Sequence, residues 1–310
     1  MARVGHAMLV LGLVSVTTFA IMHLAPGGPS VLADPKLSEA ERAAITAQLG
    51  LDAPAPVQFV RWISRAVRGD LGTSFLYAAP TTRTIADRIP NTLMLAGAAL
   101  VLAWCVGVPL GVAAGASPGS VLDRWAMRLS VAGIAMPVFW LGIMAILVFA
   151  VRLQWLPAGG ITADVDGGGL VDRLQHLVLP AATLALATTA ELFRYARASV
   201  REARGAVWWR VARARGMPRV RLVWRHAGRH ALVTLCSVLS VQLPRLVGGA
   251  AITETVFSWP GMGRLGVEAA LARDYPLVMG VTLAVSVGVV AAALLSDLGQ
   301  LAADPRLRRA

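Results

Sequence analysis

Long apolar runs alternate with short polar connections along this chain. Runs with few charges cover Ala7–Leu24, Thr92–Ala116, Met127–Val151, Leu177–Phe193, Ala231–Ile252 and Leu277–Leu298. About 20 helical residues cross a hydrocarbon core roughly 30 Å thick, so each run predicts one span. A segment inside a bilayer must satisfy its own backbone hydrogen bonds, which a helix does internally. The pattern therefore predicts an all-α, polytopic membrane protein with about six transmembrane helices. Two readings of the first run stand. Arg3 ahead of an apolar stretch resembles a secretory signal, whereas the closing "HLAPGGP" offers no small-x-small cleavage site and favours an uncleaved span.

The connection from Ala25 to Asn91 is too long to be a bare loop. Within it "SEAERAAITAQLG" reads as a helix, with Ser38 as cap and Glu41 three residues later at the capping-box spacing. Pro109, Pro137 and Pro244 are candidate interruptions of the apolar helices. The letters "GMGRLG" at Gly261–Gly266 match GxGxxG, but they follow "FSWP" between two spans, with no strand before them and no βαβ unit around them. Their glycines are expected to permit a tight re-entrant turn.

Composition agrees with the pattern. Of 310 residues, 56% are hydrophobic and 15% charged, with a mean hydropathy of +0.65, which excludes an ordinary soluble domain. The net charge of +12 comes with no RNA-binding or zinc-finger signature, so nucleic acid is not an expected partner. Cys105 and Cys236 lie in apolar runs without metal-ligand spacing and read as small packing residues. No metal site and no catalytic residues are expected. HExxH is missing, and the single lysine, Lys36 in "ADPKLSE", rules out GxxxxGK[ST], so the chain is not expected to hydrolyse ATP itself.

The positive charge is unevenly placed. Arg194, Arg197, Arg201, Arg204, Arg210, Arg213, Arg215, Arg219, Arg221, Arg225 and Arg229 follow the fourth run against the single acid Glu202, and Arg306, Arg308 and Arg309 close the chain. The opposite connections are near neutral: Arg152 and Arg173 face Asp164, Asp166 and Asp172, while Arg264 and Arg273 face Glu254, Glu268 and Asp274. Positive-inside bias then puts the arginine-rich segment and both termini in the cytoplasm. On a helical wheel Val207, Trp208, Val211 and Ala212 share one arc, with Arg210 and Arg213 elsewhere, before Gly216 and Pro218 stop the helix. Such a helix serves either as a lipid-surface anchor or as a plug for a partner's groove.

The stretch "WWRVARARGMPRVRLVWRHAGRHAL" resembles the cytoplasmic EAA-type loop of ABC importer permeases of the dipeptide/oligopeptide/nickel group. "QLGLDAPAPVQFVRWISRAVRGDLGTSF", "RIPNTLMLAGAALVLAWCVGVPLGVAAG", "FAVRLQWLPAGG", "ETVFSWPGMGRLGVEAALARDYPLV" and the closing "DPRLRR" resemble other segments of that group, in order over essentially the whole chain. Departures are Gly28 where the group commonly has an acid, Val207 in place of an acid, Arg215 for a common lysine, and Arg245 in a normally uncharged span.

The resemblance implies a type I ABC importer transmembrane domain in the bacterial cytoplasmic (inner) membrane. Residues 1–90 would form the first span and an extracytoplasmic segment, 91–300 the core permease with a cytoplasmic coupling loop at 194–230, and 301–310 a tail. It implies pairing with a second homologous permease, two cytoplasmic ABC ATPase subunits that carry ATP and magnesium, and an extracytoplasmic substrate-binding protein, with lipid around the spans. This chain would bind no cofactor. A helix over Gly205–Met217 would couple to the ATPase through Gly205, Trp208, Trp209, Val211, Ala212, Arg213, Ala214, Arg215 and Gly216.

Ionisable residues inside spans are the default pathway candidates. They are Glu191 and Arg245 with the neighbouring Gln242, and Glu254 and Asp297, which lie near span ends where helix-end packing is the expected role. Arg245 either pairs with Glu191 or Glu254 or offers charge to an anionic substrate group. The implied cargo is a di- or oligopeptide; a nickel chelate, glutathione or another small solute is the alternative. A secondary transporter or a membrane scaffold, neither needing an ATPase, is a lower alternative.

Overall fold

The computed structural model describes residues 2–24, 28–32, 37–162 and 168–303. Asp164, Asp166, Lys36, the side chain of Asp297 and the tail from Asp304 onward, including Arg306, Arg308 and Arg309, lie outside the described residues. Among those described the secondary structure is helical, with no β-strand. The helices are α1 (Ala2–Leu24), α2 (Glu39–Leu49), α3 (Ala55–Ala66), α4 (Thr81–Ala86), α5 (Ile89–Ala116), α6 (Val121–Ala135) and α7 (Val138–Ala145). They continue with α8 (Leu170–Gly205), α9 (Val207–Ala214), α10 (Arg219–Arg221), α11 (Gly228–Val256), α12 (Met262–Leu271) and α13 (Tyr275–Ala303). Single π-helical stretches extend α7 through Ile146–Arg152 and lead into α11 through Leu222–Ala227.

Four continuous segments are long and apolar enough to cross a bilayer: Gly5–Leu24, Thr81–Ala116, Leu170–Gly205 and Tyr275–Ser296. Among the described residues, two bent helix pairs bring the number to as many as six where each pair counts as one span. The run expected as one span over Met127–Val151 is one of these pairs, turning by 106° between α6 and α7. The cause is local. Pro137 has no N–H to continue the ladder, and the residue before it, Met136, is pushed to an extended ψ of 134°. The last apolar run but one bends by 45° near Ser240, whose carbonyl is the one Pro244 leaves without its helical donor. Pro109 stays inside an unbroken α5.

Packing divides the chain into two units, residues 1–92 with 260–290, and residues 93–259 with 291–310. The sequence division at 90/91 differs from this, because residues 260–290 pack with the N-terminal part. In the first unit Ile85, Met262, Leu265, Ala269, Leu277 and Val281 form the core. The fully buried Asp274 accepts hydrogen bonds from the Ser74 hydroxyl at 2.5 Å, the Leu76 N–H at 2.9 Å and the Leu277 N–H at 3.1 Å. Those three donors compensate a carboxylate taken out of water and fix residues 74–76 to the start of α13. Tyr77 donates to Glu268 at 2.8 Å; burial, then that neighbouring carboxylate, raises its pKa above the ordinary phenol value.

Helix α2 carries the capping box its sequence predicts, with Ser38 and Glu41 bonded reciprocally and Gly50 closing the helix at φ +67°. The Ser38 N–H, then its hydroxyl, hold the Glu41 carboxyl below the usual range. The "GMGRLG" segment is not the tight turn expected. Gly261 is the extended N-cap of α12, and Gly263 and Gly266 lie within that helix. A Cβ at Gly266 would sit 3.2 Å from Val281, so close packing, not turning, explains this glycine.

The second unit is organised around α8, whose 36 residues give a length of about 54 Å. Its most intimate contact is with α5. Gly107, Gly111 and Gly115 recur every four residues on one face, and a Cβ built on them would lie 2.7, 2.5 and 2.7 Å from the carbonyl oxygens of Thr189, Phe193 and Arg197. No side chain fits in that gap, so the backbones approach as small-xxx-small helix pairs do in membranes. Leu95, Ala99, Ala103, Leu192, Ala196, Val200 and Leu235 continue the buried core.

The seam yields a direct expectation. Gly111→Leu should destabilise the protein by about 1–3 kcal/mol through overpacking, whereas Gly97→Leu, on the same helix with open space at its Cβ, should be tolerated. Thermal denaturation of the two variants in one detergent checks this; equal midpoints would remove the seam from its structural role.

Candidate functional site: an arginine-rich corner and a mid-helix polar cluster

Helix α8 leaves the apolar part of the second unit and ends at Gly205. Ala206 is extended at ψ 150°, which turns the chain into α9. At the far end the N–H of Gly216 bonds the Arg213 carbonyl at 3.0 Å and the N–H of Met217 bonds that of Ala212 at 3.1 Å. With Gly216 at φ +76°, this is a Schellman termination, and Pro218, which cannot continue α9, becomes the N-cap of α10. The expected helix over Gly205–Met217 is thus shorter at both ends: Gly205 belongs to α8, while Arg215 and Gly216 form the stop.

Trp209 is buried, at 6% exposure, and Ala212 and Met217 pack beside it against the core that includes Leu222, Val223 and Ala227. The opposite side carries Val207, Trp208 and Val211, exposed at 67%, 40% and 44%. The apolar arc read from the sequence is therefore split. Its Ala212 edge faces inward with Trp209, and its larger side chains face away from the protein. Arg213, Ala214 and Arg215 are exposed on the last turn.

Several arginines have specific partners that charge counting could not show. Arg197 grips Asp123 through Nε and through Nη2, the latter at 2.9 Å, and Asp123 also accepts from the Gly119 N–H at 2.8 Å. Arg219 donates to the Ala116 carbonyl at 2.8 Å and the Ser117 hydroxyl at 2.7 Å, and Arg204 reaches the Gly115 carbonyl at 3.4 Å. Three arginines from two segments thus hold the α5–α6 junction, at the end of α5, the turn and the start of α6. Gly115–Gly119 also spells GxSxG, but it joins two helices instead of following a strand, and Ser117 is occupied by Arg219, so no nucleophile elbow is present there. Arg201, Arg210 and Arg213 with Trp209 line a cavity of about 350 Å³ at the α8–α9 corner.

The second constellation lies within the apolar helices. Glu191 on α8 accepts from the Gln242 side chain and pairs with Arg245 at 3.5 Å, both on α11. Structure brings together three of the five pathway residues named from sequence, Glu191, Gln242 and Arg245. Glu254 stands apart. It is nine residues beyond Arg245 on α11, half a revolution away at 100° per residue, and its side chain is fully buried. Arg245 instead is 65% exposed in this chain. A guanidinium at this depth cannot face lipid without a cost of roughly 2.5–3.5 kcal/mol on insertion scales, so its exposed side must meet protein or water. The glycine seam was the feature missed in sequence; the spacing 107, 111, 115 was its available signal.

Comparison with known proteins agrees with this architecture. Residues 107–309 match the family described as binding-protein-dependent transport system inner membrane component, and residues 1–96 match the N-terminal domain of such membrane components. The chain is 36% identical to the oligopeptide transport system permease protein AppB of Bacillus subtilis, over 96% of this chain and 95% of that protein. It is 34% identical to the dipeptide transport system permease protein DppB of Escherichia coli K12, over 95% of this chain and 94% of that protein. Exposed apolar residues on a capped helix, several spans and a full-length match converge: this chain belongs to the binding-protein-dependent transport system inner membrane component family and is a multi-pass membrane permease.

Proposed function

We propose that this protein is the permease subunit of an ATP-driven importer for di- or oligopeptides in the bacterial inner membrane. It forms half of the pathway with a second homologous permease, and both termini and the arginine-rich corner face the cytoplasm, as the charge asymmetry favours. Two ATPase subunits hold the ATP and magnesium, an extracytoplasmic binding protein delivers substrate, and this chain binds no cofactor. The peptide reading is supported by the names of the relatives.

The observation that carries the coupling reading is the outward face of α9. Val207, Trp208 and Val211 are exposed while the opposite face is anchored by Trp209 and the helix is stopped by Gly216. A short helix held rigidly on one side presents a tryptophan as the anchor for a partner's pocket. Closure of the ATPase pair then pushes α9, and because α8 leads directly into it, the push is transmitted along α8 to the helix bundle, which rocks to give alternating access.

Inside the bundle, Arg245 offers its exposed guanidinium to the free carboxylate of a peptide. Glu191 holds it from one side only, and Gln242 takes part of that carboxylate's accepting capacity, which leaves donors of Arg245 available.

Two outcomes follow. A valine at Gly216 must adopt φ near +76°, at a cost of about 1–2 kcal/mol. Gly216→Val is therefore expected to leave membrane insertion intact while peptide uptake per ATP hydrolysed falls; an uptake-to-hydrolysis ratio equal to wild type would contradict this coupling role. The double variant Arg245→Leu/Glu191→Gln, which avoids stranding an unpaired acid, should reduce uptake of peptides with a free C-terminal carboxylate about tenfold, a loss of about 1.4 kcal/mol. Uptake of C-terminally amidated peptides should change little. Equal losses for both substrates, at equal protein levels, would sink the carboxylate reading.

A further inference from the structure

The first unit contains a cavity of about 800 Å³, a size suited to a small-molecule ligand. It lies between the last turn of α1, the first turn of α13 and helix α3. Both α1 and α13 are apolar enough to span, so the cavity sits where two spans meet the polar interface on the side of the α1–α5 connection. One part of its wall is apolar, with Phe19, Met22 and Met279; the other part carries Arg61 and Arg65. These two arginines stand four residues apart on α3, on one helix face.

The polar groups already present leave these arginines available. His23 is held between the Phe19 carbonyl at 2.9 Å and the Gln58 side-chain oxygen at 3.2 Å, and Gln58 spends its amide N–H groups on the carbonyls of Leu51 and Ala53. Asp70, the one carboxylate in the wall, accepts from the Gly72 N–H. Neither Arg61 nor Arg65 makes an ion pair among the described residues. Trp62, also in the wall, has a buried indole N–H with no acceptor. A wall rich in unpaired donors calls for a ligand rich in acceptors.

We propose that this cavity binds the phosphate headgroup of an anionic phospholipid, with Arg61 and Arg65 at the phosphate and Phe19, Met22 and Met279 along the upper acyl chain. The apolar wall belongs to spanning helices, which favours an anion with an apolar tail over a soluble one. Val57, Val60 and Val67 are exposed along the α3 segment, as in a helix resting in the interface. The site fixes the α1–α3 corner to the leaflet it touches. It rests on the membrane character of the chain and not on the peptide reading.

The test is native mass spectrometry of the purified full-length complex in detergent, with phosphatidylglycerol, phosphatidylcholine and glycerol 3-phosphate as probes. Wild type should retain phosphatidylglycerol over phosphatidylcholine by up to about thirtyfold, as the surface attraction of two arginines at about 1 kcal/mol each implies. Arg61→Gln/Arg65→Gln should abolish the preference, Arg61→Lys/Arg65→Lys should keep much of it, and glycerol 3-phosphate should not displace the lipid. No preference in wild type, or an undiminished preference in the glutamine variant, overturns the proposal. Displacement by glycerol 3-phosphate overturns the lipid as the ligand in favour of a soluble phosphate. Should the glutamine variant fail to assemble, the wild-type preference and the competition still decide.

Discussion

The closest approach of two backbones in the second unit, α5 against α8, constrains the rest of that unit. Where Gly107, Gly111 and Gly115 face the carbonyls of Thr189, Phe193 and Arg197, the helices touch without intervening side chains. In a bilayer, where lipid tails are as apolar as leucine, such van der Waals contact replaces the hydrophobic effect as the force between helices. The seam fixes the axial position of α8. With it are fixed Glu191 at one level and Arg197 and Arg204 further along. Those arginines then reach across the α5–α6 junction, where Asp123 at the start of α6 and the carbonyl of Gly115 at the end of α5 receive them. Apolar packing and polar clamping are thus continuous along one pair of helices.

This continuity gives α8 the stiffness of a single mechanical element. A helix of 36 residues is stiff along its axis, and it runs unbroken from the apolar core to Gly205 despite the internal Pro180. At Ala206 the direction changes within one residue, so a force applied to α9 reaches α8 through one extended link and the buried Trp209. The Schellman stop at Gly216 limits α9 to eight residues, short enough to act as a rigid lever. The contrast between its two faces, one locked by Trp209 and one open at Trp208, separates the side held by the protein from the side turned away from it.

Much of this was legible in the sequence. The all-α class and the polytopic character follow from the lengths of apolar runs, and the capping box at Ser38 and Glu41 is readable because its two residues act within one turn. The stop at Gly216 and Pro218 is local in the same way. The 106° break at Pro137 was only half legible: proline announces an interruption, but the angle depends on what α6 and α7 pack against. The fate of individual arginines was not legible, since Arg197 finds Asp123 across 74 positions of chain and Arg219 finds Ser117 only after folding. Glu254, just past the end of the run that holds Arg245, was not separable from it as a pathway candidate, yet burial and helical phase set the two apart. Residues 260–290 joined the first unit through Asp274 and its bonds to the 74–76 segment, a long-range contact that no periodicity encodes.

The central claim is that the outward face of α9 seats on a nucleotide-binding partner on the cytoplasmic side. A single cysteine at Val211, with Cys105 and Cys236 replaced, measures this in sealed vesicles treated with a membrane-impermeant maleimide. The account predicts labelling in inside-out vesicles stripped of ATPase subunits, strong protection when those subunits are added back, and no labelling in right-side-out vesicles. Labelling of right-side-out vesicles, or labelling indifferent to the ATPase subunits, would contradict it.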